Sequence, residues 1–338
     1  MTGRVIIHIG LHKTGTRFLQ RMVFKQLDSQ QFLYNPDWLL IPLRHAVRER
    51  DDPTTEKALG DAVGRWRAGN DERTLIISEP HASGDMYGMH EGAEHNASML
   101  ARLFPEAQII YFVRRHADWL QSAYRQGLVK DPGQPIQRFL NFYDGVFHEQ
   151  PARRVAGKRN LSALGLRFLG IYRAYTQAFG TSNVYLLRQE SLRQRPEDVR
   201  AVVARALGLS RLPEPPHERS QNRSFSALAI LMLFPATWLL PWKPPERMIG
   251  RGVGPWRRPL RPLRSLRTNL IRHGLDRLVY IDWDLLARDG MRQRIEAHYA
   301  DEQAVIERIG ETILDSGPEA IERTPIEGNR PESGFPRG

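Results

Sequence analysis

Apolar and polar positions follow two alternating patterns along the first half of the chain. Short apolar runs occur at residues 4–10, 73–78 and 108–113, and each is followed by apolar positions at helical spacing. A later run at 183–187 precedes a helical pattern over 196–207, which starts with a proline and is followed by a glycine. Strands that alternate with helices predict an α/β fold, in which a parallel central sheet is flanked by helices on both faces.

The turn after the first predicted strand has a distinctive polar sequence, because residues 8–19 are HIGLHKTGTRFL. Its glycines allow close approach of the backbone, the first N–H groups of the following helix are free, and Lys13 adds a positive charge. In a nucleoside triphosphate loop the lysine follows the last glycine, whereas Lys13 precedes Gly15 and Thr16 follows it. We therefore predict a phosphate-binding loop of another kind; the alternative is an ordinary strand–turn–helix with a solvated lysine.

Two further predicted strands end in residues with candidate chemistry. Glu79 and His81 follow the second strand, and Arg114 follows the third, with Ser122 about two turns along the next helix. Ligands of open α/β sheets bind outside the carboxyl ends of the strands, so these loops are expected to converge. A guanidinium and a hydroxyl can hold a second phosphate. The alternative is that Arg114 and Arg115 pair with carboxylates while Ser122 faces solvent.

Composition is that of an ordinary globular protein. The 338 residues can bury a sizeable core, and 41% of them are hydrophobic and 26% charged. The chain has no cysteine, which fits a reducing compartment. Its amino terminus has no apolar segment of the shape of a signal peptide. A cytoplasmic location is therefore expected.

Positive charge is concentrated in one late stretch. The formal net charge is +11, and between residues 243 and 272 nine basic residues accompany a single acidic one, Glu246, for a net charge of +8. Such a stretch can attract an anionic glycan, an acidic lipid surface or nucleic acid, and charge alone does not choose among them.

The apolar run before that basic stretch is ambiguous. Residues 228–240 are too few, and too interrupted by Pro235, to span a bilayer. With Trp238, Trp242 and the arginines behind them, residues 228–272 can either lie on a membrane surface or cover an acceptor site. We favour a core helix with acceptor-side cover, since tryptophans are more often packing residues. Peripheral contact with the inner membrane face is the alternative.

Three segments resemble motifs of sulfotransferases that use 3′-phosphoadenosine 5′-phosphosulfate (PAPS). The turn at residues 12–17 resembles their 5′-phosphosulfate loop, and the spacing from Arg114 to Ser122 is similar to their 3′-phosphate motif. The segment between residues 185 and 209 is similar to another that recurs in the family. The resemblance covers about the first 210 residues. It departs from the commonest versions at Arg17, often Ser or Thr, and at residues 115–116, where Asn-Pro is frequent.

The resemblance implies roles for these residues. Lys13 would contact the bridging oxygen and the transferring sulfuryl group, while Arg114 and Ser122 would bind the 3′-phosphate. Asn222 and Ser224 would loop back over the phosphates, or else belong to a helix cap before residue 227. The donor would be PAPS, the product 3′,5′-diphosphoadenosine (PAP), and no metal would be required. The implied cofactor-binding residues of the first loop are His12, Lys13, Thr14, Gly15, Thr16 and Arg17.

An acceptor hydroxyl also needs a general base within hydrogen-bond reach. Glu79 is similar to a glutamate of family members that act on glycans, whereas His81 would mimic the histidine base of others. We favour Glu79, because it lies nearer the strand end and hence nearer the crevice. In the alternatives, Glu79 pairs with a cofactor-binding Lys or Arg, and His81 is a surface residue that caps Gly84.

The sequence thus predicts a sulfotransferase that moves a sulfuryl group from PAPS to a hydroxyl, expected on a carbohydrate or an anionic glycan. No nucleic-acid partner is expected. The predicted division is a PAPS-binding core (1–210), a helical, basic extension covering the acceptor site (211–316) and a disordered tail (317–338). One alternative is a nucleotide kinase, which lacks support because neither G-K-[ST] nor a magnesium-holding aspartate at a strand end is evident. A non-catalytic module for anionic glycans or membrane surfaces would leave the two phosphate sites unexplained.

Overall fold

A five-stranded parallel sheet forms the centre of the fold. The computed structural model describes residues 3–50, 52–130, 134–148, 160–214, 226–233 and 281–323. The strands are β1 (Val5–His8), β2 (Phe32–Tyr34), β3 (Thr74–Ser78), β4 (Gln108–Val113), the short antiparallel pair β5 (Phe142–Tyr143) and β6 (Val146–Phe147), and β7 (Val184–Arg188). In the central sheet they lie in the order β2-β3-β1-β4-β7, and every neighbouring pair is parallel. The predicted α/β class is confirmed.

Helices connect and flank these strands. The first, α1, begins as an α-helix over Thr16–Phe18 and continues as a π-helical turn at Leu19–Val23 and a 3₁₀ turn at Phe24–Gln26. The others are α2 (Asp37–Arg48), α3 (Pro53–Ala68), α4 (Ala93–Leu103), α5 (His116–Lys130), α6 (Ile136–Phe139), α7 (Phe168–Phe179), α8 (Ser191–Gln194), α9 (Pro196–Leu207), α10 (Ala227–Leu233), α11 (Met291–His298) and α12 (Ala300–Ser316).

The sheet is buried beneath two groups of helices. Its central strands are continuous apolar runs, as parallel strands covered on both faces must be. Helix α7 contacts β4 and β7 and packs against α4, whereas α9 contacts β4, α12 contacts β7, and these two helices pack together. These contacts bury the sheet between the helices.

The strand order creates a crevice beside β1. His8 at the end of β1 is opposite Ser78 of β3 on one side and Ile110 of β4 on the other. The chain leaves β1 toward β2, which lies beyond β3, and leaves β3 toward β4, which lies beyond β1. Right-handed connections in opposite directions cross opposite faces of the sheet, so the loops after β1 and β3 diverge. The carboxyl ends of β1, β3 and β4 are therefore the expected ligand edge.

The later part of the chain is only partly described. Helix α10 begins at a cap in which the Ser226 hydroxyl oxygen accepts from the Ala229 N–H at 3.0 Å. Helices α11 and α12 lie within the predicted helical extension, residues 211–316. Beyond Ser316, where the sequence predicts disorder, a 3₁₀ helix spans Pro318–Arg323 and buries Ile321. The division at residue 211 stays a prediction. No helix in the described part is long and apolar enough to cross a membrane.

Candidate active site

The loop after β1 has the backbone of an anion cradle. Lys13 and Gly15 both adopt left-handed conformations, with φ of 71° and 86°, and Gly15 is the residue before α1. The buried Thr14 hydroxyl donates to the Leu11 carbonyl at 2.7 Å, and the Thr16 hydroxyl donates to the same carbonyl at 3.2 Å. These bonds close the loop on itself and leave it at the amino end of α1, where free N–H groups favour an anion.

The same loop is held in place by close packing around Gly10 and by a bond from helix α5. A Cβ atom at Gly10 would lie 2.4 Å from His8 Nε2 and 2.8 Å from Thr16 Oγ1, so only glycine fits there without displacement. From the neighbouring helix α5, Trp119 Nε1 donates to the His12 carbonyl at 2.7 Å. The close packing at Gly10 and the long-range bond from Trp119 thus hold the loop against the ends of the strands.

His8 itself is buried below the crevice. Its Nδ1 lies 2.8 Å from the Ser78 hydroxyl, which also accepts from Gln20 of α1 at 3.0 Å. Burial lowers the pKa of His8 to about 3, so the ring is neutral at ordinary pH. This contact ties the end of β1 to the end of β3 and to α1.

Arg114 follows β4 and lies in an unusual electrostatic position. Burial lowers its pKa, against the opposing effect of Asp118 and Glu190. Among the residues that the structure describes, no carboxylate lies within 4 Å of its guanidinium. Asp118 is engaged by Arg292 at 3.1 Å, and Glu190 accepts from the Arg115 backbone N–H at 3.2 Å. The pairing that would explain Arg114 without a ligand is therefore not seen here.

A second arginine on the same side provides a contrast. Arg125 of α5 is buried, and it donates from both terminal nitrogens to Asp282, at 3.0 Å and 2.6 Å. Ser122 lies one turn before it and is half-buried. Asp282 is thus bonded to Arg125, whereas no carboxylate of the described residues contacts Arg114.

On the other side of β1, Glu79 is a buried and fully engaged carboxylate. Only 2% of it is exposed. Its Oε2 accepts from Arg44 Nε at 2.8 Å, and its Oε1 lies 2.7 Å from His81 Nδ1 and accepts from the His81 backbone N–H at 3.2 Å. Burial favours a raised pKa, but the hydrogen bonds from His81 and Arg44 outweigh it and lower the pKa of Glu79 to about 2.

His81 is held by these contacts with its other ring nitrogen directed away from Glu79. Because Nδ1 is bonded to the carboxylate, the neutral ring carries its proton there and keeps Nε2 as an acceptor. A terminal nitrogen of Arg48 lies 3.3 Å from both ring nitrogens. The ring of His12 meets that of His81 edge to face, with centroids 4.9 Å apart. The Gly84 N–H is bonded to the His81 backbone carbonyl and leaves the ring uninvolved.

His12, in the Lys13 loop, also has an altered ionisation. Burial, and then the proximity of His81, lower its pKa to about 4. Its Nδ1 is buried and has no hydrogen-bond partner in the described part of the chain. The neutral imidazole of His12 therefore connects the Lys13 loop to the Glu79–His81 pair through its contact with the His81 ring.

The structure brings most of the predicted residues to one edge, at the ends of three adjacent strands. The loop of residues 12–17 is central, Glu79 and His81 lie on the β3 side, and Arg114 lies on the β4 side. Asn222, Ser224 and the basic stretch 243–272 lie outside the described residues. The sequence did not indicate Arg44, Arg48 or Trp119 as contributors. Their contacts here span 33 to 107 residues of sequence, and no local motif marks them.

Comparisons with known proteins give only distant similarities. The sequence matches no model of a known protein family and no curated protein. The structure is similar to a sulfotransferase from Alicyclobacillus acidocaldarius, with 16% identity, a TM-score of 0.44, and coverage of 81% of this chain and 96% of that one. It is also similar to the sulfotransferase domain from the curacin biosynthetic pathway, with 13% identity, a TM-score of 0.35, and coverage of 89% and 98%. Both TM-scores are below 0.5, so neither similarity supports a function for this chain.

Proposed function

We propose that this protein transfers a sulfuryl group from PAPS to an acceptor hydroxyl. The observation that carries the proposal is that two groups suited to binding anions follow adjacent strands. The loop with Lys13 follows β1, and Arg114, with no carboxylate in contact among the described residues, follows β4. A ligand with two separated phosphates would satisfy both sites at once.

Each side has a distinct task in this proposal. PAPS supplies the sulfuryl group and a phosphate as leaving group. The N–H groups of residues 14–17 hold the 5′-phosphate, and the Lys13 ammonium neutralises the charge that develops on the departing oxygen. The Arg114 fork and the Ser122 hydroxyl hold the 3′-phosphate, which positions the nucleotide for in-line attack.

We assign the base to His81, with Glu79 as the group that orients it. A carboxylate whose pKa is about 2 has little affinity for a proton, so Glu79 alone is a weak base. His81 Nε2 takes the proton of the acceptor hydroxyl while the acceptor oxygen bonds to sulfur and the bond from sulfur to the leaving phosphate breaks. Glu79 stabilises the resulting imidazolium at 2.7 Å.

The acceptor in this proposal is a hydroxyl of a carbohydrate or an anionic glycan. That choice is based on the positive charge of the stretch between residues 243 and 272, and cytoplasmic location and acceptor cover by that stretch are likewise proposals. The crevice beside β1 leaves the Glu79–His81 side for the acceptor, because the Arg114 side is assigned to the nucleotide.

A thermal-shift panel followed by a transfer assay tests the proposal. A ligand that binds only the folded state raises the midpoint, so PAP is expected to stabilise the protein and ATP with Mg²⁺ is not. Radiolabelled sulfate is then expected to move from PAPS to a glycoside, and His81→Asn is expected to abolish transfer while keeping the PAP-induced shift. Stabilisation by ATP with Mg²⁺ alone would favour a kinase. Response to neither, with salt-dependent binding to heparin or acidic liposomes, would favour a binding module.

A further inference from the structure

Helix α2 presents an exposed face that leads to the Glu79–His81 pair. Trp38, Ile41, Arg44 and Arg48 are three or four positions apart and therefore share one side of the helix. Trp38 is 41% exposed and Ile41 is 54% exposed. Of the large apolar side chains exposed in the described part, these two are the pair that shares a helix. The result is a small apolar surface, continued by two guanidinium groups.

The basic end of this face touches the proposed base directly. Arg44 Nε is 2.8 Å from Glu79, and a terminal nitrogen of Arg48 is 3.3 Å from His81 Nε2. The two arginines differ in their partners. Arg44 is neutralised by Glu79, whereas within the described ranges no carboxylate lies within 4 Å of Arg48. The nearby Glu49 lies 3.1 Å from His45 instead.

We propose that this α2 face, made of Trp38, Ile41 and Arg48, is the acceptor platform, and that the acceptor has an apolar or ring surface together with an anionic group. The inference rests on the proposed function for the identity of the base. Trp38 and Ile41 pack against the ring surface, as an exposed indole does with flat ligands. Arg48 forms a charge-assisted bond with the anionic group.

The distances limit how far the anionic group of the acceptor can lie from its reacting hydroxyl. A hydroxyl in contact with His81 Nε2 and an anionic oxygen in contact with Arg48 are each about 3 Å from their partners. The two partners are 3.3 Å apart. The anionic oxygen therefore lies within about 9 Å of the hydroxyl oxygen, which is the span of one sugar ring with its substituents. A carboxylate or sulfate on the same or the adjoining ring meets this limit.

A matched pair of probes tests the platform. Para-nitrophenyl β-D-glucuronide and para-nitrophenyl β-D-glucoside have the same aromatic group and differ at one carboxylate. Ligand-observed NMR titration of the full chain, with and without PAP, is expected to give at least about tenfold tighter binding of the glucuronide. Arg48→Gln is expected to remove that preference, and Arg48→Lys to keep part of it. Trp38→Ala is expected to weaken both probes alike.

The test of the platform has one control variant and three results that would overturn it. Arg65→Gln removes an exposed arginine from the neighbouring helix α3 and is expected to change neither affinity. Equal binding of the two probes, no binding of the glucuronide, or a preference that survives Arg48→Gln would each overturn the platform. The readout needs no turnover. Failure of the proposed sulfuryl transfer is seen separately, as the lack of a PAP-induced shift or of transfer from PAPS.

Discussion

The two loops beside the Lys13 loop differ in how their charged side chains are paired. After β4, Arg114 has no carboxylate within 4 Å in the described part, although Asp118 and Glu190 are close by and engaged elsewhere. After β3, Glu79 is almost fully buried and bonded by both Arg44 and His81. On one side the Arg114 guanidinium contacts no carboxylate of the described residues, and on the other the Glu79 carboxylate is bonded within the protein.

This difference indicates what each side can do. A buried charge without a partner is costly, so it persists where a ligand supplies the opposite charge. A carboxylate with all its partners supplied by the protein is poised to hold a neighbouring side chain in place. We therefore propose that a nucleotide binds on the β4 side and that the histidine oriented by Glu79 transfers a proton on the β3 side.

Removing the cation between the two sides is expected to have the largest effect. Lys13→Ala should lower turnover by about 10²–10³-fold, because it removes the group that neutralises charge on the leaving oxygen. Affinity for PAP should change much less. Steady-state transfer from PAPS and calorimetric titration of PAP measure the two quantities, with Lys25→Ala, at the end of the following helix α1, as the control. Near-normal turnover of Lys13→Ala would contradict the assignment.

The hydrogen bonds to Glu79 on the β3 side predict that the free energy of unfolding falls in acid. Glu79 has a folded-state pKa of about 2 against an ordinary value of 4.5, so above pH 4.5 its carboxylate contributes about 3 kcal/mol to the free energy of unfolding. As pH falls below 4.5 the unfolded state takes up the proton first, and the contribution disappears as pH approaches 2. Glu79→Gln should be less stable than the wild type at pH 7, with a difference that shrinks in acid. Urea unfolding as a function of pH checks this, and a difference independent of pH would contradict it.

Neutralising the two arginines of the β4 side, the half-buried Arg114 and the buried Arg125, should change the free energy of unfolding by different amounts. Arg125→Met breaks the bidentate contact with Asp282 and should lower the free energy of unfolding by about 2 kcal/mol. Arg114→Met should leave the unliganded protein equally stable or slightly more stable, because the wild-type charge has no close partner there. Denaturant unfolding of the two variants measures the contrast. Equal losses would show that Arg114 is compensated like Arg125.

A smaller effect is expected from crowding the loop that separates the two sides. In Gly10→Ala the new methyl group would lie 2.4 Å from His8 Nε2, and the displacement should cost about 1 kcal/mol. The PAP-induced thermal shift should fall as well, because the loop moves from its anchored position. Gly60→Ala, whose Cβ would meet nothing within 4 Å, is the matched control. An unchanged shift in Gly10→Ala would mean that the loop tolerates the methyl group.

The sequence predicts the ligand edge better than it predicts the contacts there. The residues after β1, β3 and β4 were found because each follows an apolar run, and parallel strands present their carboxyl ends together. The short strand β2 was not predicted, since three residues, Phe32–Tyr34, are too few to establish a pattern. Without β2 the placement of α2 beside Glu79 has no basis in the sequence.

The choice between Glu79 and His81 as the general base also depends on contacts that the sequence does not reveal. Proximity to the strand end favours Glu79, and the spacing of the two residues says nothing of Arg44, which is 35 positions away. Only the packing of α2 shows that the carboxylate is already bonded on both oxygens. In the same way, the bond from Trp119 to the His12 carbonyl depends on how α5 lies against the loop.

The central claim is that Arg114 and the Lys13 loop bind two phosphates of one nucleotide. Calorimetric titration with PAP and with adenosine 5′-phosphate, which lacks the 3′-phosphate, tests it most directly. The wild type is expected to bind PAP at least about tenfold more tightly, Arg114→Gln to bind both alike, and Arg115→Gln, at the exposed neighbouring position, to keep the preference. Equal affinities in the wild type, or a preference that survives in Arg114→Gln, would contradict the account.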